Sequence, residues 1–214
     1  DLYHSFGRLQ ANLLVEGFYT MLNNVFTLVR IGKNEDGSIV YWERRNGSGA
    51  TVAGVNFEGK IGIPHRFELQ LGYTLQSSRY DTPERWSDQL APQRKMFRGP
   101  DHSGYLTSLF DITPRFKASL FGTYTGSMLV KHILSDGTNE TDLEQNTPSF
   151  WDMGIKLAYT FRIGKAVNLE VNTGVKNIFD AYQKDLDYGA FKDADYVYGP
   201  SLPRMYFVGI KFSI

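Results

Sequence analysis

An all-β fold, an antiparallel meander of about eight long strands forming part of a transmembrane β-barrel, is predicted by three observations. Apolar and polar residues alternate strictly over runs of about 9–12 residues. Short and long connections succeed one another regularly. The aromatic load is high, with 13 Tyr, 15 Phe and 3 Trp beside 21 Gly; aromatics favour strands, while glycine punctuates turns.

The alternation is clearest from Trp151 to Arg162, where every odd position is large and apolar and the even ones are Asp, Gly, Lys, Ala, Thr and Arg. That is the period of a strand with one apolar and one wet face; a helix would mix the two sets. Phe67, Leu69, Leu71, Tyr73 and Leu75 repeat the pattern against Glu68, Gln70, Gly72, Thr74 and Gln76. At the end of the chain Tyr206, Val208, Ile210, Phe212 and Ile214 form one face. Residues 51–61 and 168–179 alternate in the same way, and 103–111 and 116–128 more loosely. The run at 8–30 reads as one extended strand or a hairpin.

Short links fall at Gly62-Ile63-Pro64-His65, Ile112-Thr113-Pro114-Arg115 and Gly164-Lys165-Ala166-Val167, each a tight hairpin connection. Long polar links fall at about 32–49, 78–101, 131–149 and 180–202. Because the two kinds alternate, all short turns gather at one end of the sheet and all long loops at the other, as in outer-membrane barrels. Strands of this length also suit a tilted crossing of a bilayer, where soluble strands average about 5–6 residues.

The totals remove several other classes. The 23 basic and 23 acidic residues cancel, leaving no global field for nucleic acid. Cysteine is absent, which excludes disulfides, thiolate metal sites and a thiol nucleophile. No stretch approaches the roughly 20 apolar residues of a membrane helix, a test that a β-barrel escapes. The start Asp1-Leu2-Tyr3-His4 lacks the features of a signal peptide, so the chain is read as cytoplasmic or as a mature or truncated piece. Alternation alone does not say which face turns outward. A soluble all-β ligand- or carbohydrate-binding module, apolar face inward, is the alternative.

Chemistry-bearing residues are sparse. His4, His65, His102 and His132 have no metal-ligand spacing, so no metal or other cofactor is expected. Asp101-His102 has no nucleophile to serve, since no serine sits in a Gly-x-Ser-x-Gly elbow, and no enzyme is expected. Gly32-Lys33-Asn34-Glu35-Asp36-Gly37 lacks the ligand pattern of a calcium loop and reads as a solvated tip. What remains is aromatic and charged: Tyr80, Arg85 and Trp86 in one long loop, and Tyr188, Phe191, Tyr196 and Tyr198 in another. Loop aromatics of this kind anchor bulky ligands or form the interfacial girdle of a membrane protein. Tyr80, Arg85, Trp86, Tyr188, Tyr196 and Tyr198 are therefore the ligand-binding candidates.

Several motifs carry a family resemblance. Gly174-Val175-Lys176-Asn177-Ile178-Phe179-Asp180, then Tyr182, a long loop and Gly199-Pro200-Ser201-Leu202-Pro203-Arg204, resembles the C-terminal end of TonB-dependent outer-membrane receptors, especially of the Bacteroidetes type, with its "N-L-F-D" strand end. The segment from Asn46 to Glu58 is similar to the family's "N-x-G-x-A-x-x-x-G-V-E-x-E" strand, Leu71-Gly72-Tyr73-Thr74 to its next strand, and Pro100-Asp101-His102 to its "P-x-H". Two features depart from the family: Phe212 is followed by Ser213 and Ile214, and the plug domain and most of about 22 strands are missing.

The resemblance implies that residues 1–214 are the C-terminal segment of a receptor barrel in the bacterial outer membrane. It implies partners in outer-membrane lipid, in a nutrient held at extracellular loops and, through the plug, in TonB. The links near 63, 114 and 165 would be periplasmic, the loop at 180–202 extracellular, and Glu68, Gln70, Lys156, Glu170, Asn172 and Lys176 would face the lumen.

Overall fold

The computed structural model describes residues 1–33, 35, 40–164 and 167–213. Its strands are β1 (Leu2–Phe6), β2 (Leu9–Leu22), β3 (Phe26–Lys33), β4 (Val40–Asn46), β5 (Ala50–Ile63), β6 (Phe67–Glu84), β7 (Gln93–Lys95), β8 (His102–Asp111), β9 (Phe116–Thr125), β10 (Leu129–Ser135), β11 (Glu140–Asn146), β12 (Phe150–Ile163), β13 (Val167–Lys176) and β14 (Met205–Ser213). One sheet runs β1-β2-β5-β6-β8-β9-β12-β13-β14, every pair antiparallel, with β7 added beside β6. The all-β meander is thus as the alternation predicts. Its path is open, with β1 and β14 as edges.

Register sorts the side chains into two faces. Pairings such as Lys60 with Gln70, Gln70 with Thr107 and Lys156 with Gly174 place Glu68, Gln70, Lys156, Glu170, Asn172 and Lys176 together on the polar face. Exposure then supplies what alternation leaves open. The apolar face is the uncovered one: Leu71, Tyr73, Ile155, Tyr159, Phe161, Val208, Ile210 and Phe212 are exposed, Val208 to 75% and Ile210 to 64%. On the opposite face Gly72, Gly154 and Ala158 are buried and Gln70, Thr74, Asp152 and Lys156 half-buried.

Small residues on the polar face receive aromatic ones. Phe18, Tyr105, Phe121 and Phe207 each lie directly across from a glycine, respectively Gly54, Gly72, Gly154 and Gly174. A Cβ at Gly54 or Gly154 would lie 2.5 Å from the Phe18 or Phe121 ring, and one at Gly174 2.6 Å from Phe207, so the rings occupy the space a side chain would need there. Between them run cross-strand hydrogen bonds: Thr74 Oγ1 donates to Asn56 Oδ1 (2.9 Å), Asn56 Nδ2 to Glu16 (3.3 Å), and Gln70 Nε2 to the Tyr105 hydroxyl (3.1 Å). These bonds tie neighbouring strands together across the polar face.

Aromatics on the apolar face gather in two rows. Near the long loops, the Tyr124 ring lies 6.4 Å from Tyr73 and 4.7 Å from Trp151, and the Tyr73 hydroxyl meets His102 Nδ1 at 3.1 Å. Near the short turns are Phe67 with Phe110, Phe116 with Tyr159, and Tyr159 with Phe161. From Trp151 to Phe161 a strand climbs about 33 Å at about 3.3 Å per residue, or about 25 Å at a tilt of about 40°, the height of an outer-membrane apolar band.

The eight long strands are present, each of nine or more residues, with the short β1 and β7 added to the sheet. Three sequence expectations are corrected. The run at 8–30 is neither one strand nor a hairpin: the chain turns after β2, with Asn24 at φ 54°, and β3 pairs with β4 outside the main sheet. The link at 131–149 contains most of a second hairpin, β10–β11, and that at 32–49 contains β4. Finally, β6 runs on to Glu84, through the start of the expected loop at 78–101. Asn34, Asp36 and Gly37 of the calcium-like segment, Lys165 and Ala166 of one short link, and terminal Ile214 lie outside the described residues.

Candidate functional site

The long connections build a cap with its own core. Val130, Phe150, Tyr196 and Tyr198 are buried together, with Met128 and Ala181 against them. The His132 ring stacks on Tyr196 at 3.6 Å, and its Nε2 meets Asp187 Oδ2 at 2.9 Å. Asp193 accepts from the Ile133 N–H (2.9 Å), which fixes the final loop to β10. The Tyr196 hydroxyl donates to Asp185 Oδ2 (2.7 Å), and the Tyr198 hydroxyl donates to the same carboxylate.

These contacts shape the local protonation. Burial and then the Asp185 carboxylate push the Tyr198 hydroxyl up to about 12, and burial and Asp185 raise Tyr196 as well. Burial acts to raise Asp185, but the Tyr198 and Tyr196 hydroxyls outweigh it and hold the carboxyl below its ordinary range.

The motif residues at 177–180 fasten the loop at both ends. Buried Asn177, at φ 49°, donates through Nδ2 to the carbonyls of Ala181 (3.0 Å) and Leu202 (2.9 Å) and accepts from the Ala181 N–H (2.8 Å). Asp180 accepts from the Arg204 N–H (2.9 Å). Asn tolerates this left-handed backbone better than most residues, and its amide offers a donor and an acceptor at once.

A cleft of about 920 Å³ lies where the β3–β4 hairpin, the end of β6, the segment after it, β10 and the final loop meet. Tyr80 rises into it from the polar face of the wall, opposite buried Ala50. Phe26 and Trp42 line one side. On another, the Lys131 Nζ sits 5.1 Å from the Trp86 ring centre and 4.9 Å from that of Phe97. The Trp86 Nε1–H donates to Glu144 (3.0 Å), which fixes the indole plane. Burial pushes the Lys131 ammonium below the usual lysine range; Glu144 opposes this and Arg98 adds to it. Arg98 donates to the carbonyls of Val197 (2.9 Å) and Asp195, joining the cleft wall to the final loop.

The structure brings Tyr80, Arg85 and Trp86 together on this cleft. Tyr196, 1% exposed, and Tyr198 face the cap core instead, while Tyr188 stands in solvent at 84% exposure. Asp101 and His102 turn to separate partners, Lys95 at 2.7 Å and Tyr73. Among the described residues no group of acids and histidines has the arrangement of a metal site. Phe26, Trp42, Phe97, Arg98 and Lys131 are cleft residues that sequence reasoning does not single out, because the contacts join segments distant along the chain. The Asp136-Gly137 dipeptide, a hairpin-turn signal, is the one local clue to the β10–β11 unit that carries Lys131.

No family model matches this sequence, and no curated protein matches it either. Solved structures do. The chain superposes over 96% of its length on 25% of the ferric-catecholate import receptor Fiu from E. coli K12 in its closed form, with TM-score 0.59 and 23% identity. The copper transporter OprC matches over 99% of the chain and 30% of its own, with TM-score 0.62 and 13% identity. The ferripyoverdine receptor of the Pseudomonas aeruginosa outer membrane, bound to ferripyoverdine, matches over 82% and 21%, with TM-score 0.52 and 16% identity. The chain thus spans less than a third of each protein it matches, and the likeness is one of fold: an antiparallel meander matching part of a TonB-dependent receptor barrel.

Proposed function

We propose that this chain is part of the wall and extracellular cap of an outer-membrane receptor that takes up a large, scarce nutrient by binding and gated passage. The observation that carries the reading is the pattern along β6 and β12: large apolar side chains stand exposed, while the small and polar residues between them are mostly buried or half-buried. In water each large apolar side chain so exposed forgoes roughly 1.5–3 kcal/mol. In a bilayer the same face is solvated by acyl chains, and a polar face suits a lumen. The soluble binding module requires the opposite arrangement.

The finer parts of the reading rest on the motifs. They favour a receptor of the Bacteroidetes type in the bacterial outer membrane, with residues 1–214 as the C-terminal part of its barrel. Cargo would be a ferric siderophore, cobalamin or glycan, and energy would come from TonB acting on a plug outside this chain. No bond is made or broken in such a cycle. The residues here alone would neither couple to TonB nor transport. An antibody against this chain, used on fractionated native cells, is expected to find a band several-fold heavier than 24.3 kDa in the outer membrane. A band of 24.3 kDa in the soluble fraction would overturn the reading.

A further inference from the structure

The charges of the chain cancel in sum, but they are not spread evenly over the fold. Each short link contains one lysine or arginine and no acid: Arg8 between β1 and β2, Arg66 between β5 and β6, Arg115 between β8 and β9 and, by sequence, Lys165 between β12 and β13. Strand register gathers these links at one end of the sheet. The acids nearby on the polar face already face lysines. Glu68 meets Lys60 at 2.8 Å, Asp111 meets Lys117 at 2.9 Å, and Glu170 lies directly across from Lys211. Arg8, Arg66 and Arg115 are exposed, and among the described residues their side chains make no ion pair or hydrogen bond.

A phenylalanine of the apolar face stands beside each of these arginines. Phe6, Phe67 and Phe116 lie within two residues of Arg8, Arg66 and Arg115, and their cross-strand partners Leu9, Phe110 and Tyr159 are apolar as well. Between the β5–β6 and β8–β9 turns opens a cleft of about 660 Å³, lined by Arg66, Asp111, Lys117, Ile112 and Pro114 among others. Lys117 already meets the Asp111 carboxylate there, which leaves the Arg66 guanidinium unpaired. A guanidinium at the strand ends, next to a ring on the apolar face, is placed for a lipid phosphate: its planar donors take two phosphate oxygens at once while the ring stays among acyl chains. A soluble acidic partner would meet the charge and leave the rings uncovered.

Resting on the receptor reading above, we propose that the short-turn rim binds the headgroups of anionic phospholipids, with Arg8, Arg66 and Arg115 on the phosphates and the neighbouring phenylalanines in the acyl layer. Phosphatidylethanolamine offers the same phosphate but brings an ammonium of its own, so the preference is for lipid of net negative charge.

The test uses the protein purified from native membranes with Ile112→Cys, at the exposed tip of the β8–β9 turn, labelled with a fluorophore and placed in phosphatidylcholine vesicles. Phosphatidylglycerol or phosphatidylethanolamine, brominated high on the acyl chain, is added at equal mole fraction, and quenching reports which lipid stands beside the turn. Phosphatidylglycerol is expected to compete for that place about tenfold better, with Arg66 and Arg115 each supplying about threefold of the ratio. The ratio should fall to about one in Arg66→Gln with Arg115→Gln, be largely kept in Arg66→Lys and stay unchanged in Lys184→Gln. Quenching by brominated phosphatidylcholine shows that each variant is inserted; if Ile112→Cys is not, Phe110→Cys carries the label. Equal competition by the two lipids, or a preference that survives the double substitution, overturns the proposal. Saturable binding of hexaglutamate at the label without lipid preference also overturns it, and marks a soluble acidic partner. Quenching by no lipid at all contradicts the receptor reading itself, whereas equal quenching by both headgroups removes only this inference.

Discussion

The wall and the cap of this molecule obey opposite burial rules. In the wall, Gln70, Thr74, Asp152 and Lys156 are half-buried while Leu71, Tyr73, Ile155 and Phe161 are exposed. In the cap, Val130, Phe150 and Tyr196 are buried together, and Lys184, Lys192 and Asp195 are exposed. The centre of the cap is built as in a small aqueous domain, by withdrawing apolar surface from water. Along β6 and β12 the wall does the reverse, an arrangement that on the proposed reading is solvated by lipid. That reading puts the boundary between the two solvents at the row of Tyr73, Tyr124 and Trp151.

Substitutions that exchange the two rules break the comparison most strongly. Tyr196→Ala empties the cap core and removes a hydroxyl from Asp185, so a loss of about 3–5 kcal/mol confined to the cap is expected; hydrogen exchange should rise in 177–204 and stay fixed in β12 and β13. An equal rise in both would show that cap and wall are one cooperative unit. Ile155→Arg places a charge on the apolar face and should cost about 2–4 kcal/mol in urea unfolding from vesicles, while Lys156→Arg, one residue away on the polar face, should be near neutral. Equal penalties at the two sites would remove the distinction between faces.

Smaller effects sharpen it. Asn177→Ala takes away three buried hydrogen bonds that join the loop's ends; about 1–3 kcal/mol is expected, read as faster proteolysis of the final loop. The wall should be unaffected. Alkaline titration gives the mildest probe. Because the folded-state value of Tyr198 lies above its ordinary 10.0, its contribution is complete below about pH 10 and is lost as pH rises through about 12. The cap should loosen over that window, followed by tyrosinate absorbance, and Tyr198→Phe should abolish the contribution. Asp185 acts at the other end: its value is depressed, so its contribution holds above the ordinary carboxylate value and fades as pH falls below it.

The same contrast explains what the sequence made legible. Period-two alternation across β6, β12 and β14 is long, clean and local, because every residue of a wall strand meets one of two uniform environments. Which environment lies on which side is not local: Ile155 between Gly154 and Lys156 reads alike in a soluble sheet and in a barrel. The cap left weaker traces. Glu140-Thr141-Asp142-Leu143-Glu144-Gln145-Asn146 shows no apolar period, since β11 is held by Trp86, Gln89, Arg30 and Tyr196 from elsewhere in the chain. Tyr196 and Tyr198 signalled ligand contact by being aromatic in a loop, yet their rings are the loop's own core. Lys131 carried no signal at all, because its meaning lies in Trp86 and Phe97, which the fold brings to it.

The claim that the apolar face meets lipid can be tested residue by residue, since the native chain has no cysteine. Single cysteines at Ile155 and Lys156, and at Leu71 and Gln70, would be labelled with an environment-sensitive fluorophore and the protein placed in vesicles of lipids brominated along the acyl chain. Strong quenching at positions 155 and 71 and little at 156 and 70 is the predicted result. Equal quenching at all four, or quenching confined to 156 and 70, would contradict it.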